Sequence, residues 1–338
     1  MSITAKEIAK MLGLSEPSIS RALNNKPGIS TDTRKKILEV AREYGYDFTK
    51  VRGYENVEPK GTVCLVIHKK SGAVVTDTPF FSSLTEGISN GCKKNAYELN
   101  IHYLYEGENF KEQVNHLKAS GYNGIILLAT EMNKHSLSYF SDFPLPLLIL
   151  DAYFDIPSYN FVLINNIQGA FLATDYLIKE CRVQPGYLRS SYPISNFEER
   201  ADGFYKAIRK HGMSTSKSPV HILPPSQEGA YEDMKAFINS GESLSSCYFA
   251  DNDHIAVGAM QAFIETGYKI PEDISIIGFD NLPICKHITP RLTTIDVPKR
   301  FMGEIAAQRI IEIIEDNHSL PIKIEINTTI KKRRSVRL

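Results

Sequence analysis

No apolar run in this 338-residue chain reaches the roughly 18 to 20 residues that a membrane span requires, so no contact with a bilayer is expected. The N-terminus lacks a charged-then-apolar signal segment, and a cytoplasmic protein is expected. Cysteine is scarce. Its five copies (Cys64, Cys92, Cys181, Cys247, Cys285) are scattered and form no C-x-x-C pair. That argues against a disulfide framework or a structural zinc, and for reduced thiols packed as small hydrophobes. There is no P-loop, no G-x-G-x-x-G, no H-E-x-x-H and no G-x-S-x-G, and the nine histidines show no ligand spacing. No cofactor or metal is therefore expected, and an enzyme finds little support. Leucine heptads are also missing towards the C-terminal end, so nothing signals a tetramer beyond a dimer.

The length predicts two or three domains. Hydrophobic content of 42% and charged content of 23% describe a globular protein. Net charge is zero, but it is not evenly spread. Through residue 52, ten Lys/Arg stand against six Asp/Glu; the remainder carries 29 basic and 33 acidic residues. A basic head on an acidic body suggests that only the head meets a polyanion.

The first fifty residues read as three short helices. Thr4-Ala5-Lys6-Glu7 has capping-box spacing, and Ile8, Met11 and Leu12 follow with helical period. Gly13 closes that helix. Ser15 caps the next, with Pro17 in its first turn, where a missing N–H costs nothing. Ile19, Ala22 and Leu23 turn inward; Glu16, Pro17, Ser18 and Arg21 turn outward. After the loop at Asn24–Gly28, Ser30 caps a third helix carrying Ile37, Leu38, Val40 and Ala41 and ending near Gly45. Two short helices on a tight turn, closed by a third, make a helix-turn-helix. Arg21 is the best base reader on physical grounds, since a guanidinium can bond guanine O6 and N7 together. Glu16 either accepts from a cytosine amine or only complements the helix dipole.

The run I-x-x-I-A-x-x-x-G-x-S-x-x-S-I-S-R-A-L-N, then T-R-x-x-I-L-x-x-A and Y-G-Y, closely resembles the headpiece of the lactose/galactose repressor family (LacI/GalR). The resemblance implies base-reading positions at Glu16, Pro17 and Arg21. It implies phosphate contacts at Thr4, Ser15, Ser20, Asn24, Ser30 and Thr33. It extends through Thr78–Phe81, Pro146–Asp151, Arg200–Phe204, Asp251–Asp253, Gly258–Met260, Thr266–Ile295 and Arg333–Ser335. The linker is where the chain departs from the family. Relatives carry an alanine-arginine pair and a leucine on a hinge helix that enters the minor groove; here Arg52, Gly53, Tyr54 and Glu55 stand in that place.

From residue 61 apolar, strand-like runs alternate with helical stretches, which predicts βα repetition and parallel sheets. The strand-like runs are Thr62–Ile67, Ile101–Leu104, Gly124–Leu128, Leu147–Leu150, Val162–Ile164, Ser246–Phe249 and Ile274–Ile277. The expected fold is an N-terminal all-α helix-turn-helix headpiece (1–47), a hinge (48–60), and an α/β body (61–338). The resemblance makes that body a type I periplasmic-binding-protein-like pair of parallel-sheet subdomains. It places their crossings near 160, 292 and 322, with an N-subdomain of about 61–160 and 293–322 and a C-subdomain of about 161–292 and 323–338.

Ligands of open α/β sheets bind outside the carboxyl ends of strands. Asp151, the Asp251-Asn252-Asp253 run and Asp280 all fall at such ends, and Arg200 sits early on a helix. Carboxylates, an amide and a guanidinium suit the vicinal hydroxyls of a sugar, and Phe80, Phe81, Tyr153 and Tyr231 offer apolar walls. The resemblance implies that Arg200, Asn252 and Asp280 hold ring hydroxyls, with Asp151 and Asn196 beside them. The chain thus reads as a sequence-specific transcriptional regulator, a repressor of carbohydrate-utilisation genes. Its expected partners are pseudo-palindromic operator DNA, a sugar effector and a second copy of itself. One alternative keeps the class but has a purine or other non-sugar effector as co-repressor; another is a sugar-binding protein without DNA function.

Overall fold

Thr4 starts the headpiece as its spacing requires. Its hydroxyl accepts from the Glu7 N–H at 3.3 Å, and the Thr4 N–H donates to Glu7 Oε2 at 2.7 Å. The computed structural model describes residues 3–24, 26–44, 46, 59–75, 79–107, 109–316 and 319–337. Helix α1 (Ala5–Leu12) ends at Gly13, which takes the left-handed conformation at φ 64°. Helix α2 (Glu16–Leu23) is capped by Ser15, and α3 (Thr31–Glu43) follows Ser30, whose Oγ accepts from the Thr33 N–H. Ile8, Ala9, Ile19, Ala22, Leu23, Ile37 and Ala41 form the buried core of this unit. Met11 is half exposed instead, because the inward stripe of α1 runs through Ile8, Ala9 and Leu12. The hinge positions Arg52, Gly53, Tyr54 and Glu55 lie outside the described residues.

The body is a second compact unit, from Lys60 onward. Its first part runs β1 (Gly61–Lys69), α4 (Pro79–Lys94), β2 (Tyr97–Tyr105), α5 (Phe110–Lys118), β3 (Gly124–Leu128), α6 (Lys134–Ser138), β4 (Leu147–Leu150) and β5 (Asn160–Ile164). Then come α7 (Asn166–Cys181), β6 (Gly186–Ser190), α8 (Ser195–Lys210), β7 (Val220–Leu223), α9 (Gln227–Asn239), β8 (Cys247–Ala250), α10 (Asp253–Glu265) and β9 (Ser275–Asp280). The chain closes with β10 (Thr293–Asp296), α11 (Lys299–Glu315), β11 (Lys323–Ile326) and β12 (Thr329–Lys331). Two six-stranded sheets result, ordered β11-β5-β4-β3-β1-β2 and β12-β10-β9-β8-β6-β7. All pairings are parallel except β10 with β12. The strands β3, β4, β5 and β8 are buried along their whole length, as sheets covered on both faces demand. The five cysteines are buried free thiols.

The crossings expected near 160, 292 and 322 each come about one strand later. Thr293–Asp296 pairs with β9, so it belongs to the second sheet; Lys323–Ile326 pairs with β5, so it belongs to the first. Each strand completes its ladder before the chain leaves, since an earlier exit would leave buried backbone groups unpaired. The chain therefore crosses at Asn165, at Val297-Pro298 and at Asn327-Thr328. The first and third crossings are laced together: Asn165 Nδ2 donates to Asn327 Oδ1 at 3.1 Å, and Gln168 exchanges hydrogen bonds with Thr328. On the first sheet α4 packs against α11 at very close range. A Cβ on Gly87 would lie 2.0 Å from the Arg300 carbonyl oxygen.

Candidate functional site

A cleft of about 350 Å³ opens at the carboxyl ends of the strands of both sheets. The first half supplies Thr130 after β3, Asp151 after β4, and Ile164 at the end of β5. Ala73 and Val74 precede α4, and Phe80 and Phe81 open it. The second half supplies Ile194, Asn196, Phe197 and Arg200 around the start of α8, and Pro225, Ser226 and Gln227 before and at the start of α9. Asn252 and His254 lie at the start of α10, with Asp280 and Leu282 at the end of β9.

Asp151 is buried and held from two sides. Its Oδ2 accepts from Thr130 Oγ1 at 2.7 Å, and its Oδ1 and carbonyl accept from Asn196 Nδ2 at 3.1 Å each. The Asn196–Asp151 bonds tie the second half to the first. Burial drives the Asp151 carboxyl up to about 7, against the pull of Thr130 and Arg200. Arg200 is 3% exposed and lies over the Phe279 ring at 3.7 Å. Its Nε donates to Asn166 Oδ1 at 2.9 Å, its Nη1 to the Asp251 carbonyl, and its Nη2 to Asp280 Oδ1 at 3.3 Å. Asn166 also donates to Asn196 Oδ1 at 3.3 Å. A continuous polar network thus runs from Asp151 through Asn196, Asn166 and Arg200 to Asp280. Burial raises the Asp280 carboxyl as well, although Arg200, Lys299 and His254 oppose it.

Backbone conformation separates these two carboxylates from ordinary loop acids. Asp151 has φ 63°, Asp280 φ 106° and Asn281 φ 53°. Such conformations cost about 1–3 kcal/mol each and persist only where the surroundings impose them. The surroundings here are explicit. Asn281 Nδ2 donates to Asp296 Oδ1 at 2.7 Å, its Oδ1 accepts from Arg333 at 2.5 Å, and Lys299 Nζ donates to the Asp280 carbonyl. The basic Lys331–Arg334 string is largely consumed in this way: Lys331 pairs with Asp296 and Lys332 lies over the Tyr176 ring.

Seven of the expected effector residues line the cleft: Phe80, Phe81, Asp151, Asn196, Arg200, Asn252 and Asp280. Asn252 is partly committed, because its Oδ1 caps α10 by accepting from the Ile255 N–H at 2.8 Å. Asp253 and Tyr231 do not line it. Asp253 is fully buried behind the wall, where it accepts from the Leu282 N–H at 2.7 Å and from Thr294 Oγ1 at 2.5 Å. It fixes the turn that aims Asp280. Tyr231 stands one turn along α9 from Gln227, and its hydroxyl is taken by Glu265 and Lys235 at 2.6 and 2.7 Å. Tyr153 packs on Phe161 instead. Thr130, Gln227 and His254 are lining residues that sequence reasoning missed. The strand-end rule applied to β3 would have found Thr130. Gln227 follows β7, whose alternating Val-His-Ile-Leu text did not read as a buried strand. Burial holds the His254 imidazole below its ordinary value despite Asp280.

In the headpiece, Thr4, Ser15, Glu16, Pro17, Ser20, Arg21 and Ser30 are exposed, and Asn24 and Thr33 are half-buried. Several serve the fold as well: Ser15 caps α2, Ser30 bonds Thr33, and Asn24 Nδ2 donates to the Ser20 carbonyl at 2.7 Å. Arg21, in the last turn of α2, forms no ion pair among the described residues.

The profile of bacterial regulatory proteins of the lacI family matches residues 4–47, and that of a periplasmic binding protein-like domain matches residues 175–336. The HTH-type transcriptional repressor PurR of Aliivibrio salmonicida is 27% identical over 340 residues, covering 98% of each chain. A transcriptional regulator CelR–cellobiose complex shares the fold at TM-score 0.74 and 19% identity, over 98% of this chain and 99% of that one. The lac repressor dimer bound to operator and the anti-inducer ONPF does so at TM-score 0.70 and 19% identity, over the whole of both chains.

Proposed function

We propose, starting from a chain that belongs to the lacI family of bacterial regulatory proteins and is a DNA-binding transcriptional regulator, that it represses carbohydrate-utilisation genes in the cytoplasm. Its operator affinity is set by a sugar in the cleft of the body. One observation carries this reading. Two carboxylates in left-handed backbone, the buried Asp151 and the partly buried Asp280, flank a buried guanidinium at the strand ends of both halves.

Sugar hydroxyls donate to carboxylates and accept from guanidinium and amide N–H groups. A ring held by Asp151 on one half and by Arg200 and Asp280 on the other favours the closed arrangement of the body. Phe80, Phe81 and Phe197 cover its apolar faces. Two copies of the chain form a symmetric dimer, and their headpieces read the two halves of a pseudo-palindromic operator. Glu16, Pro17 and Arg21 face base edges; Thr4, Ser15, Ser20, Asn24, Ser30 and Thr33 lie along phosphates. Closure changes the dimer geometry and releases the operator, because the sugar binds one state of the body better than the other. The chain acts as a binding switch rather than an enzyme.

The test is a melting screen of the full chain against D-galactose, D-ribose, cellobiose, adenine, guanine and hypoxanthine. A ligand at 100 times its dissociation constant adds about 2.7 kcal/mol of stability. Duplexes selected from a random pool supply the operator, and gel shifts are repeated with the hit. Arg200→Ala and Asp280→Ala are expected to keep operator binding and lose the response to sugar. Stabilisation by a purine alone, or variants that still release operator at the wild-type sugar concentration, would overturn the reading.

A further inference from the structure

One wall of the cleft has no regular secondary structure of its own. The connection after β1, residues 70–75, supplies Ala73 and Val74 to the cleft, and Val75 is buried in the core beneath. The six backbone N–H groups of this connection need acceptors. Five of them converge on one side chain. Glu131 Oε2 accepts from the N–H groups of Lys70, Ser71 and Gly72 at 2.9, 3.0 and 3.1 Å. Glu131 Oε1 accepts from those of Val74 and Val75 at 2.8 and 2.9 Å. The sixth, Ala73, donates to Ser71 Oγ at 3.1 Å. Gly72 permits the reversal, at φ 71°.

Glu131 follows β3 by three residues and is 3% exposed. An ionised carboxylate is expensive to bury unless donors surround it. Burial pushes its pKa up, and the amides of Val75, Val74, Ser71 and Gly72 outweigh burial, so it lies below the usual range. The anion and the connection hold each other: removing either leaves the other unsatisfied. The apolar wall is therefore fixed in place by a residue that does not itself line the cleft.

We propose that Glu131 is a positioning residue for effector binding, an anionic clasp that holds residues 70–75 as a preformed wall of the cleft. This rests on the cleft being the effector site, and the experiment separates the two ideas. Glu131→Gln keeps the shape but turns an N–H₂ group towards backbone donors. Hydrogen exchange of the full chain without ligand is followed in the peptide spanning 70–75. Protection there is expected to fall about 10- to 100-fold, the cost of unsatisfied buried donors, while peptides from β8 and β9 keep theirs. Melting is then titrated with D-galactose, D-ribose and cellobiose. A sugar that stabilises the wild type is expected to need about tenfold more for the same shift in Glu131→Gln. Ile88→Val, which trims the buried core of α4 and leaves Glu131 and its backbone donors unchanged, serves as calibrator and is expected to leave that concentration unchanged. Retained protection at 70–75, or equal sugar dependence in Glu131→Gln and wild type, would overturn the proposal. Lost protection with no sugar stabilising the wild type would leave the clasp standing and count against the sugar reading alone.

Discussion

Arg21 is the residue on which sequence reading depends most. It stands exposed in the last turn of α2, held in position by the small core of Ile19, Ala22 and Leu23. A guanidinium can bond guanine O6 and N7 together, so if Arg21 reads a base as proposed, Arg21→Ala is expected to lose about 1–3 kcal/mol of discrimination at one base pair. Gel shifts against single-base operator variants check this; unchanged discrimination would remove Arg21 from the reading positions. The cleft residues were legible where chemistry and strand ends coincide, as at Asp151 and Asp280. They were not legible where one residue type fits two neighbouring positions. Asp253 and Asn252 are adjacent, and sequence alone does not say which faces the ligand, which caps the helix and which braces the turn. Glu131 gave no signal, because its five partners are backbone amides that no side-chain pattern marks.

The elements themselves are written plainly in the periodicity: helical patterns at Ser82–Asn95, Gly169–Glu180, Asn196–His211, Asp253–Thr266 and Lys299–Glu315 fall within a few residues of α4, α7, α8, α10 and α11. Edge strands are read less fully, with only Ile101–Leu104 of β2 and nothing of β7 expected, because both strands are partly exposed. The crossings were placed a strand early because pairing partners, rather than composition, decide where a sheet ends. The β9–α10 contact shows what an element demands of a residue. A Cβ on Gly278 would lie 2.3 Å from Asp253 Oδ1, inside the buried carboxylate that braces the Asp280 turn. Gly278→Ala is expected to destabilise the body by about 1–3 kcal/mol. It should also weaken the sugar response, since Asp280 shifts with its turn. Urea unfolding with an unchanged midpoint would show that the turn yields freely.

For the whole molecule, the buried carboxylates tie stability to pH. The Asp151 carboxyl is raised to about 7 by burial, and the Asp253 carboxyl likewise. A raised carboxyl means the folded chain binds the proton more tightly than the unfolded chain. These groups therefore favour folding most at low pH, and that contribution falls as pH rises from about 4 towards 7. A sugar hydroxyl donating to Asp151 favours the ionised form and expels the proton. Sugar affinity is thus expected to rise with pH up to about 7 and then level off, with proton release in calorimetry run in buffers of different ionisation enthalpy. Affinity that is flat across this range would mean Asp151 is not the acceptor. Three chain crossings join the two halves of the body, and two of them are laced through Asn165 and Asn327. A single thread would let the halves swivel and slide as well as close. A laced pair and a separate third thread act as a door hung at two heights: swing survives and wobble is suppressed. Work done in the cleft is then not dissipated among idle motions but delivered along one coordinate, the opening and closing of the two halves of the body.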